Sequence, residues 1–234
     1  MGAERHRGTG VRPTATIRSV SSPGPTARAA LGGAGVLGVT LLIAGFAINP
    51  GPAAADSTSQ LLAYGHAHHG SLLVGGWLQV TGTTVICLFA LAMATLAGFD
   101  RLCIPVLIVG LTALLAVSLS EMACYVGLAS GHGETARVAA DLIPGVQHGY
   151  SIVAAPLVFA ALGTGLLRCA APRRALGITA LGFGAVFWTL GLIGVLTAVQ
   201  GVVDFFAGFQ ALWWLAAALV VGIKRPWPGR ATPA

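Results

Sequence analysis

Glu121 has the clearest capacity for chemistry in this chain, because it is a carboxylic acid inside a long apolar segment. A charged acid at the centre of a membrane-spanning helix costs roughly 2.5 to 3.5 kcal/mol, so it turns toward other helices, finds a partner or stays protonated. On a helix, Ser118 and Tyr125 share its face, three residues before it and four after it. This polar stripe predicts that Glu121 points into a bundle of helices.

Other apolar segments carry polar groups at a similar depth, namely Gln79, His148 and Gln210. A carboxylate, two amides and an imidazole in one half of a membrane are what a small binding pocket between helices requires. The alternative is that these groups only bond to one another, each pair contributing about 0.6 kcal/mol. The predicted polar site consists of Glu121, His148, Gln79, Gln210, Ser118 and Tyr125.

Histidines form the second candidate constellation. Imidazole binds zinc, copper and haem iron, and the candidates for metal ligands are His66, His68, His69 and His148. A structural zinc site needs about four ligands and a haem needs a placed axial pair, and the sequence supplies neither set. We therefore predict no cofactor, with a haem or a divalent metal as the alternative, and interpret the cluster as solvated histidines at the membrane surface.

Six long apolar segments must position these groups. Each has about 20 residues or more, which is enough to cross a hydrocarbon core of ~30 Å as a helix. The segments run from Ala29 to Ile48, Ser71 to Ala97, Leu102 to Leu128, His148 to Leu167, Ala175 to Leu196 and Val202 to Ile223. The predicted fold is all-α, a polytopic membrane helical bundle of six transmembrane helices.

Basic residues predict how this bundle is oriented. Every lysine and arginine except Arg137 precedes the first segment, links the second to the third, links the fourth to the fifth or follows the sixth. Lys and Arg accumulate on the cytoplasmic side of membranes. Both termini are therefore predicted in the cytoplasm, with residues 50–70 and 129–147 outside.

Composition separates a membrane domain from two polar tails. Charged residues are 9% of the chain and hydrophobic residues 56%, too little charge for a soluble fold. We predict a disordered basic cytoplasmic tail at 1–28, the transmembrane domain at 29–223 and a short basic cytoplasmic tail at 224–234. Small residues at 53–55 leave open whether the first segment is a cleaved signal peptide. The net charge of +6 is spread over separate stretches without a basic face, so the expected surrounding is the lipid bilayer and not a nucleic acid.

Four short motifs stand out in the middle of the chain, at 120–125 (SEMACY), 146–148 (VQH), 155–159 (APLVF) and 172–177 (PRRALG). Together they resemble a loose group of small, largely uncharacterised multi-span proteins from high-GC bacteria. The resemblance covers roughly Ser71 to Gly194. It implies a location in the bacterial plasma (inner) membrane, and it supplies no catalytic residues.

Catalytic signatures do not occur in the sequence: there is no hydrolase elbow, phosphate loop, zinc-protease motif or carboxylate pair. We therefore predict a non-enzymatic, multi-pass membrane protein. Its expected role is to bind a small solute or a proton at an outward-facing intramembrane polar site. The alternatives are a haem or metal protein that uses the outer histidines, and an assembly or regulatory subunit. Protein partners are not predicted.

Overall fold

The structure of the protein is a computed structural model that describes residues 24–51, 57–194 and 200–223, with the backbone alone for residues 200–204. Most of the two predicted tails, residues 1–23 and 224–234, lies outside the described residues, as do the small residues at 53–55. The first helix begins at Pro25 instead of Ala29, so Arg28 belongs to the helix and not to the tail. Proline suits this start, because the first helical position needs no N–H donor.

Helices account for nearly all of the described residues. They are α1 (Pro25–Ile48), α2 (Thr58–Ala67), α3 (His69–Ala97), α4 (Cys103–Ala129), α5 (Gly133–Gly149), α6 (Ala155–Leu167), α7 (Arg173–Gly194) and α8 (Gln200–Gly222). A π-helical turn, Tyr150–Ala154, joins α5 to α6. No strand occurs within the described ranges. The prediction of an all-α fold is confirmed.

Six helical stretches in the described chain are long and apolar enough to cross a membrane, and the prediction of six spans is confirmed. They are α1, α3, α4, the continuous stretch from α5 to α6, α7 and the apolar part of α8. Neighbouring spans form a closed ring: α3 lies between α1 and α4, α6 follows α4, and α7 and α8 complete the circuit back to α1. A ring of this kind encloses an interior on which side chains from several helices converge.

The fourth span differs from the prediction. Residues 129–147 were predicted as an external connection, but Gly133–Gly149 form helix α5, which continues through the π-helical turn into α6. An apolar stripe, Ala136, Ala139 and Ile143, is buried in this helix, and α5 contacts both α4 and α2. Its charged residues lie on the exposed face, so a search for uninterrupted apolar runs does not find it.

Helix α2 covers the same end of the bundle as α5, and we call this end the α2–α5 side. The helix begins with a capping box, in which the Ser57 hydroxyl accepts from the Gln60 N–H and the Gln60 side chain accepts from the Ser57 N–H. Leu61 packs with Leu72, Leu128 and apolar residues of α5 in a small core. Both elements are thus packed parts of the fold.

The π-helical turn lies immediately before Pro156. Proline has no N–H for the carbonyl four residues earlier, that of Ile152, and its ring crowds that carbonyl. The backbone widens instead, and the Ala155 N–H bonds to the Tyr150 carbonyl five residues earlier. The irregularity lies at the level where Tyr150 meets the interior of the ring.

Aromatic rings fill the middle of the ring of helices. This aromatic core consists of Phe89, Phe159, Phe187, Trp213 and Trp214, all buried. Phe159 lies at its centre, because its ring lies 5.2 Å from that of Trp213, 5.9 Å from that of Trp214 and 6.3 Å from that of Phe187, measured between centroids. The Trp213 indole N–H donates to the Leu176 carbonyl at 3.1 Å, which ties α8 to α7.

An ion pair links two connections at the other end of the bundle, the amino-terminal side. Arg168 after α6 lies 2.5 Å from the carboxylate of Asp100, which precedes α4. Asp100 also accepts from the backbone N–H of Cys103 at 2.8 Å, at the start of α4. The Cys103 hydrogen bonds and the nearby guanidinium lower the pKa of Asp100 from its ordinary 3.8 to about 2. The α3–α4 and α6–α7 connections therefore lie at one end of the bundle. This is expected when successive spans cross a membrane in opposite directions, because every second connection is then on the same side.

Glycines allow several helix pairs to approach closely. A Cβ atom at Gly177 of α7 would lie 2.8 Å from the Leu167 nitrogen and 2.9 Å from the Gly163 oxygen of α6. The corresponding distances at Gly82 of α3 are 2.8 Å to the Gly38 oxygen and 2.8 Å to the Leu42 nitrogen of α1. Backbone atoms cannot rotate away as side chains do, so larger residues at these positions force the helices apart.

We expect Gly177→Ala to lower the stability of the folded protein by about 1 to 3 kcal/mol, the usual cost of overpacking a well-packed contact. Gly182, on the same helix, is the matched control, because a Cβ atom there meets nothing within 4 Å. Gly182→Ala should match the parent or exceed it slightly, since alanine favours helix. Thermal unfolding of the detergent-purified variants measures both effects. Equal melting temperatures for the two variants would contradict the close approach of α6 and α7.

Candidate functional site

Glu121 lies in the half of α4 that leads to α5, about 12 Å along the helix axis from Ala129, at 1.5 Å per residue. Its side chain is 4% exposed. Ser118, Cys124 and Tyr125 are also buried, on the face that spacing assigns to Glu121. This face of α4 is turned to α3, α5 and the interior of the ring.

Three neutral donors hold the Glu121 carboxylate. Oε1 accepts from the Tyr125 hydroxyl at 2.8 Å and from Gln147 Nε2 at 2.7 Å, and Oε2 accepts from Gln79 Nε2. One turn nearer the amino-terminal side, the Thr83 and Ser118 hydroxyls are 3.2 Å apart. These residues join α3, α4 and α5, and we call them the polar cluster: Gln79, Thr83, Ser118, Glu121, Tyr125 and Gln147.

A cavity of about 430 Å³ lies beside the polar cluster, between α1, α3, α4, α5 and α8. Every member of the cluster except Tyr125 lines it. The rest of this central cavity is largely apolar, with Ile43 and Phe46 of α1, Val117 of α4 and Trp214 of α8 among its walls. A concave apolar chamber with a few convergent polar groups is the usual form of a small-molecule site.

Small residues on α8 explain where the cavity opens. Near the amino-terminal side, α1 and α8 touch closely, since a Cβ atom at Gly32 would lie 2.8 Å from the Ala218 oxygen. Farther along the same pair of helices, α8 presents Ala207, Gly208 and Ala211 to the cavity. These side chains are too short to fill the distance to α1 at that level.

Tyr150 and Gln210 provide a second polar position on the cavity wall. The Tyr150 hydroxyl donates to the Gln210 side-chain oxygen, which connects the π-helical turn to α8. The Tyr150 ring packs edge-on against Phe187, 5.5 Å away, so its orientation is fixed by the aromatic core. Gln210 thus lies in the same cavity as Glu121, although they are on different helices.

The electrostatics of the cluster are unusual in one respect. Among the described residues, no lysine, arginine or histidine forms an ion pair with Glu121, and its contacts are all with neutral groups. In addition, the Oε1 atom of Gln79 is buried without a hydrogen-bond partner. The Glu121 carboxylate therefore lines the central cavity without a described countercharge, and the amide beside it has an unused acceptor.

His148 does not join the polar cluster, contrary to the prediction. Its Nε2 atom lies 3.2 Å from the Gly191 carbonyl of α7, on a different side of the helix from Glu121. The reason is helical phase: Gln147, one residue earlier, points to Glu121, and adjacent residues on a helix differ by about 100°. Of the predicted site residues, the structure brings Glu121, Gln79, Ser118 and Tyr125 together, places Gln210 on the same cavity and separates His148.

The histidines near α2 lie apart from this cavity. The His66 ring lies near Gly131, 3.7 Å from where a Cβ atom of that residue would be. The His68 ring lies 4.6 Å from the Tyr64 ring, measured between centroids. His69 begins α3 and is exposed. Within the described ranges, no three His, Cys, Asp or Glu side chains come together in a way that could hold a metal ion.

Sequence reasoning missed Gln147 and Tyr150, which both line the cavity. Gln147 was assigned to an external connection, where an amide carries no signal. Tyr150 begins the π-helical turn, whose geometry the sequence analysis does not predict. A helical continuation of the fourth span toward its N-terminus would have placed Gln147 at the depth of Glu121, and this was the one signal available.

Comparison with known proteins gives no match: no protein-family model, no curated protein and no solved structure matches this chain.

Proposed function

We propose that this membrane protein binds a small solute in the central cavity, with the polar cluster as the recognition surface. One observation carries the proposal: a buried carboxylate that pairs with no described cation lines a chamber of about 430 Å³. Small-molecule sites are typically about 300 to 1,000 Å³, mostly apolar, with a few placed polar groups. The role is binding and not catalysis in this proposal.

The proposed setting is a bacterial plasma membrane with both termini in the cytoplasm. The basic residues of the sequence support this orientation, and the ion pair between Asp100 and Arg168 agrees with it, because it holds two of the arginine-bearing connections at one end. The α2–α5 side then faces outward. The polar cluster belongs to the outer half of the bundle in this orientation, so the solute would be taken from that side or from the outer leaflet.

The substitution Ala211→Phe tests the proposal, because Ala211 lines the cavity and has a small side chain. The probes are three compounds with the same apolar body: phenethylammonium, phenethyl alcohol and hydrocinnamate. We expect at least one of them to raise the melting temperature of the detergent-purified parent, as any ligand that binds only the folded state does. Ala211→Phe should abolish that rise, because the new ring occupies the cavity.

Leu212→Phe is the matched control, since Leu212 is the next residue of α8 and is 60% exposed toward the surroundings of the bundle. This variant should bind the probe as the parent does. A parent that binds none of the three compounds, or an Ala211→Phe variant that binds as well as Leu212→Phe, would overturn the proposal.

A further inference from the structure

We infer that the ligand of the central cavity is a small organic monocation with an apolar body, whose ammonium group binds Glu121 and the free oxygen of Gln79. This inference rests on the proposed function and adds the chemical class of the solute. It follows from the hydrogen-bond partners of Glu121, the charges around the cluster, its unused acceptor and the residues that line the cavity.

The hydrogen-bond partners of Glu121 can hold the ionised form of the carboxylate. An ionised carboxylate is an acceptor only. Both oxygens of Glu121 lie at hydrogen-bond distance from groups that can donate, two at Oε1 and one at Oε2, and each of these groups is a hydroxyl or an amide N–H. A carboxylate held in this way is the partner that a cationic ligand requires.

The elements around the cavity provide no countercharge among the described residues. Helix α4 contains no lysine, arginine or histidine. Arg28 of α1 lies in its first turn, at the amino-terminal side, and Arg137 of α5 is exposed on the outer face of that helix. His148 faces Gly191. A buried carboxylate without a cation is costly in a medium of low dielectric. A cationic ligand would supply the countercharge that the described residues do not provide.

The polar wall also matches an ammonium group in its hydrogen-bonding capacity. An ammonium group has three donors and no acceptor. Gln79 Oε1 is buried and unpartnered, on a residue that is 5% exposed and lines the cavity beside Glu121. A ligand that donates to both residues satisfies the amide oxygen and neutralises the carboxylate together. An anionic ligand would instead meet two acceptors and a like charge.

The remaining walls set the body of the ligand. Ile43, Phe46 and Val117 offer aliphatic and aromatic surface, and Trp214 closes the cavity toward the aromatic core. An indole face attracts cations as well as apolar groups. The cavity therefore fits a compound with one charged head and an apolar remainder, and it has no second ionised group among the described residues for a zwitterion.

The experiment uses the same three probes and compares their dissociation constants. We expect the parent to bind phenethylammonium about tenfold more tightly than phenethyl alcohol, because hydrogen bonds to a charged group are stronger than neutral ones by roughly the 1.4 kcal/mol that corresponds to a factor of ten. Hydrocinnamate should bind more weakly than both. This comparison needs no variant, so it stays informative whatever a substitution does to folding.

Glu121→Gln separates the charge from the shape of the site. The variant should lose the preference for phenethylammonium over phenethyl alcohol. A cooperative thermal unfolding transition shows that the variant is folded. A parent that binds the alcohol or the anion best, or a Glu121→Gln variant that keeps the ammonium preference, would overturn the cation inference and leave solute binding intact. Absence of binding by every probe would instead remove the proposed function itself.

Discussion

Glu121→Leu should lower the stability of the helix bundle by about 2 kcal/mol or more, although it makes α4 more apolar. The substitution leaves Tyr125, Gln147 and Gln79 without the acceptor that they share. The bonds from Gln79 and Gln147 join helices, and such bonds in membranes contribute about 0.6 kcal/mol each and up to about 1.7 kcal/mol. The Tyr125 bond lies within α4, and leaving this buried hydroxyl unpaired adds about 1 kcal/mol or more. The lower cost of inserting α4 does not offset this loss, because insertion precedes the assembly of helices that are already in the bilayer.

Glu121→Gln should lower the stability of the bundle much less than Glu121→Leu does. Glutamine keeps the size of the side chain, and its oxygen can still accept from Tyr125 and Gln147. Its amide nitrogen would face the amide nitrogen of Gln79, and a half-turn of the Gln79 amide resolves that conflict by presenting Oε1 instead. We therefore expect Glu121→Gln to assemble nearly as the parent does, while it loses any activity that depends on the charge.

Thermal unfolding in detergent, together with expression level, measures this difference. Leu119→Ala is the control for a general perturbation of α4, because Leu119 is 55% exposed and lies outside the polar cluster. The expected order of stability is parent, Glu121→Gln and then Glu121→Leu, with Leu119→Ala near the parent. If Glu121→Leu matched the parent in stability and in probe binding, Glu121 would have neither a structural nor a binding role.

Much of this architecture follows from simple properties of the sequence. A run of about 20 apolar residues in a bilayer has one stable backbone solution, a helix, because every N–H and C=O must bond within the segment. The face of α4 that carries Ser118, Glu121 and Tyr125 is equally local, since it depends only on the helical period. These features could be predicted without knowledge of any neighbouring helix.

The cavity could not be predicted in that way. It depends on which helices are neighbours, and on the change from close contact at Gly32 to an open gap at Gly208 along one pair of helices. The partner of Glu121 was also ambiguous, because Gln147 and His148 are adjacent in sequence and only the phase of α5 decides between them. That phase depends on the packing of α5 on α4 and on the π-helical turn, and both are tertiary properties.

The aromatic core supports the cavity from the side of α6, and Phe159→Ala should therefore have the second large effect. Phe159 is 1% exposed, and its ring lies within 6.3 Å of the ring centroids of Phe183, Phe187, Trp213 and Trp214. Truncation of a buried phenylalanine costs about 3 to 5 kcal/mol, mainly because the surrounding side chains lose contacts and do not close the space.

Lipid does not change the sign of this prediction. Hydrophobic transfer contributes little inside a bilayer, but packing contacts still favour the folded bundle over separated helices. The loss of stability in Phe159→Ala should thus fall at the lower end of the range, about 3 kcal/mol. Phe159→Leu keeps part of the side-chain volume, so it should lose less stability. Trp214 rests against the Phe159 ring and lines the cavity, so Phe159→Ala should also weaken probe binding.

Trp188→Ala is the matched control for loss of an aromatic side chain, because Trp188 lies on α7 beside the core residue Phe187 but is 55% exposed. It should change the melting temperature little and leave probe binding unaltered. The measurement is thermal unfolding of the three variants, with the dissociation constant of phenethylammonium for those that remain folded. A Phe159→Ala variant as stable as Trp188→Ala would contradict the arrangement of rings at the centre of the bundle, and unaltered probe binding in it would separate the aromatic core from the site.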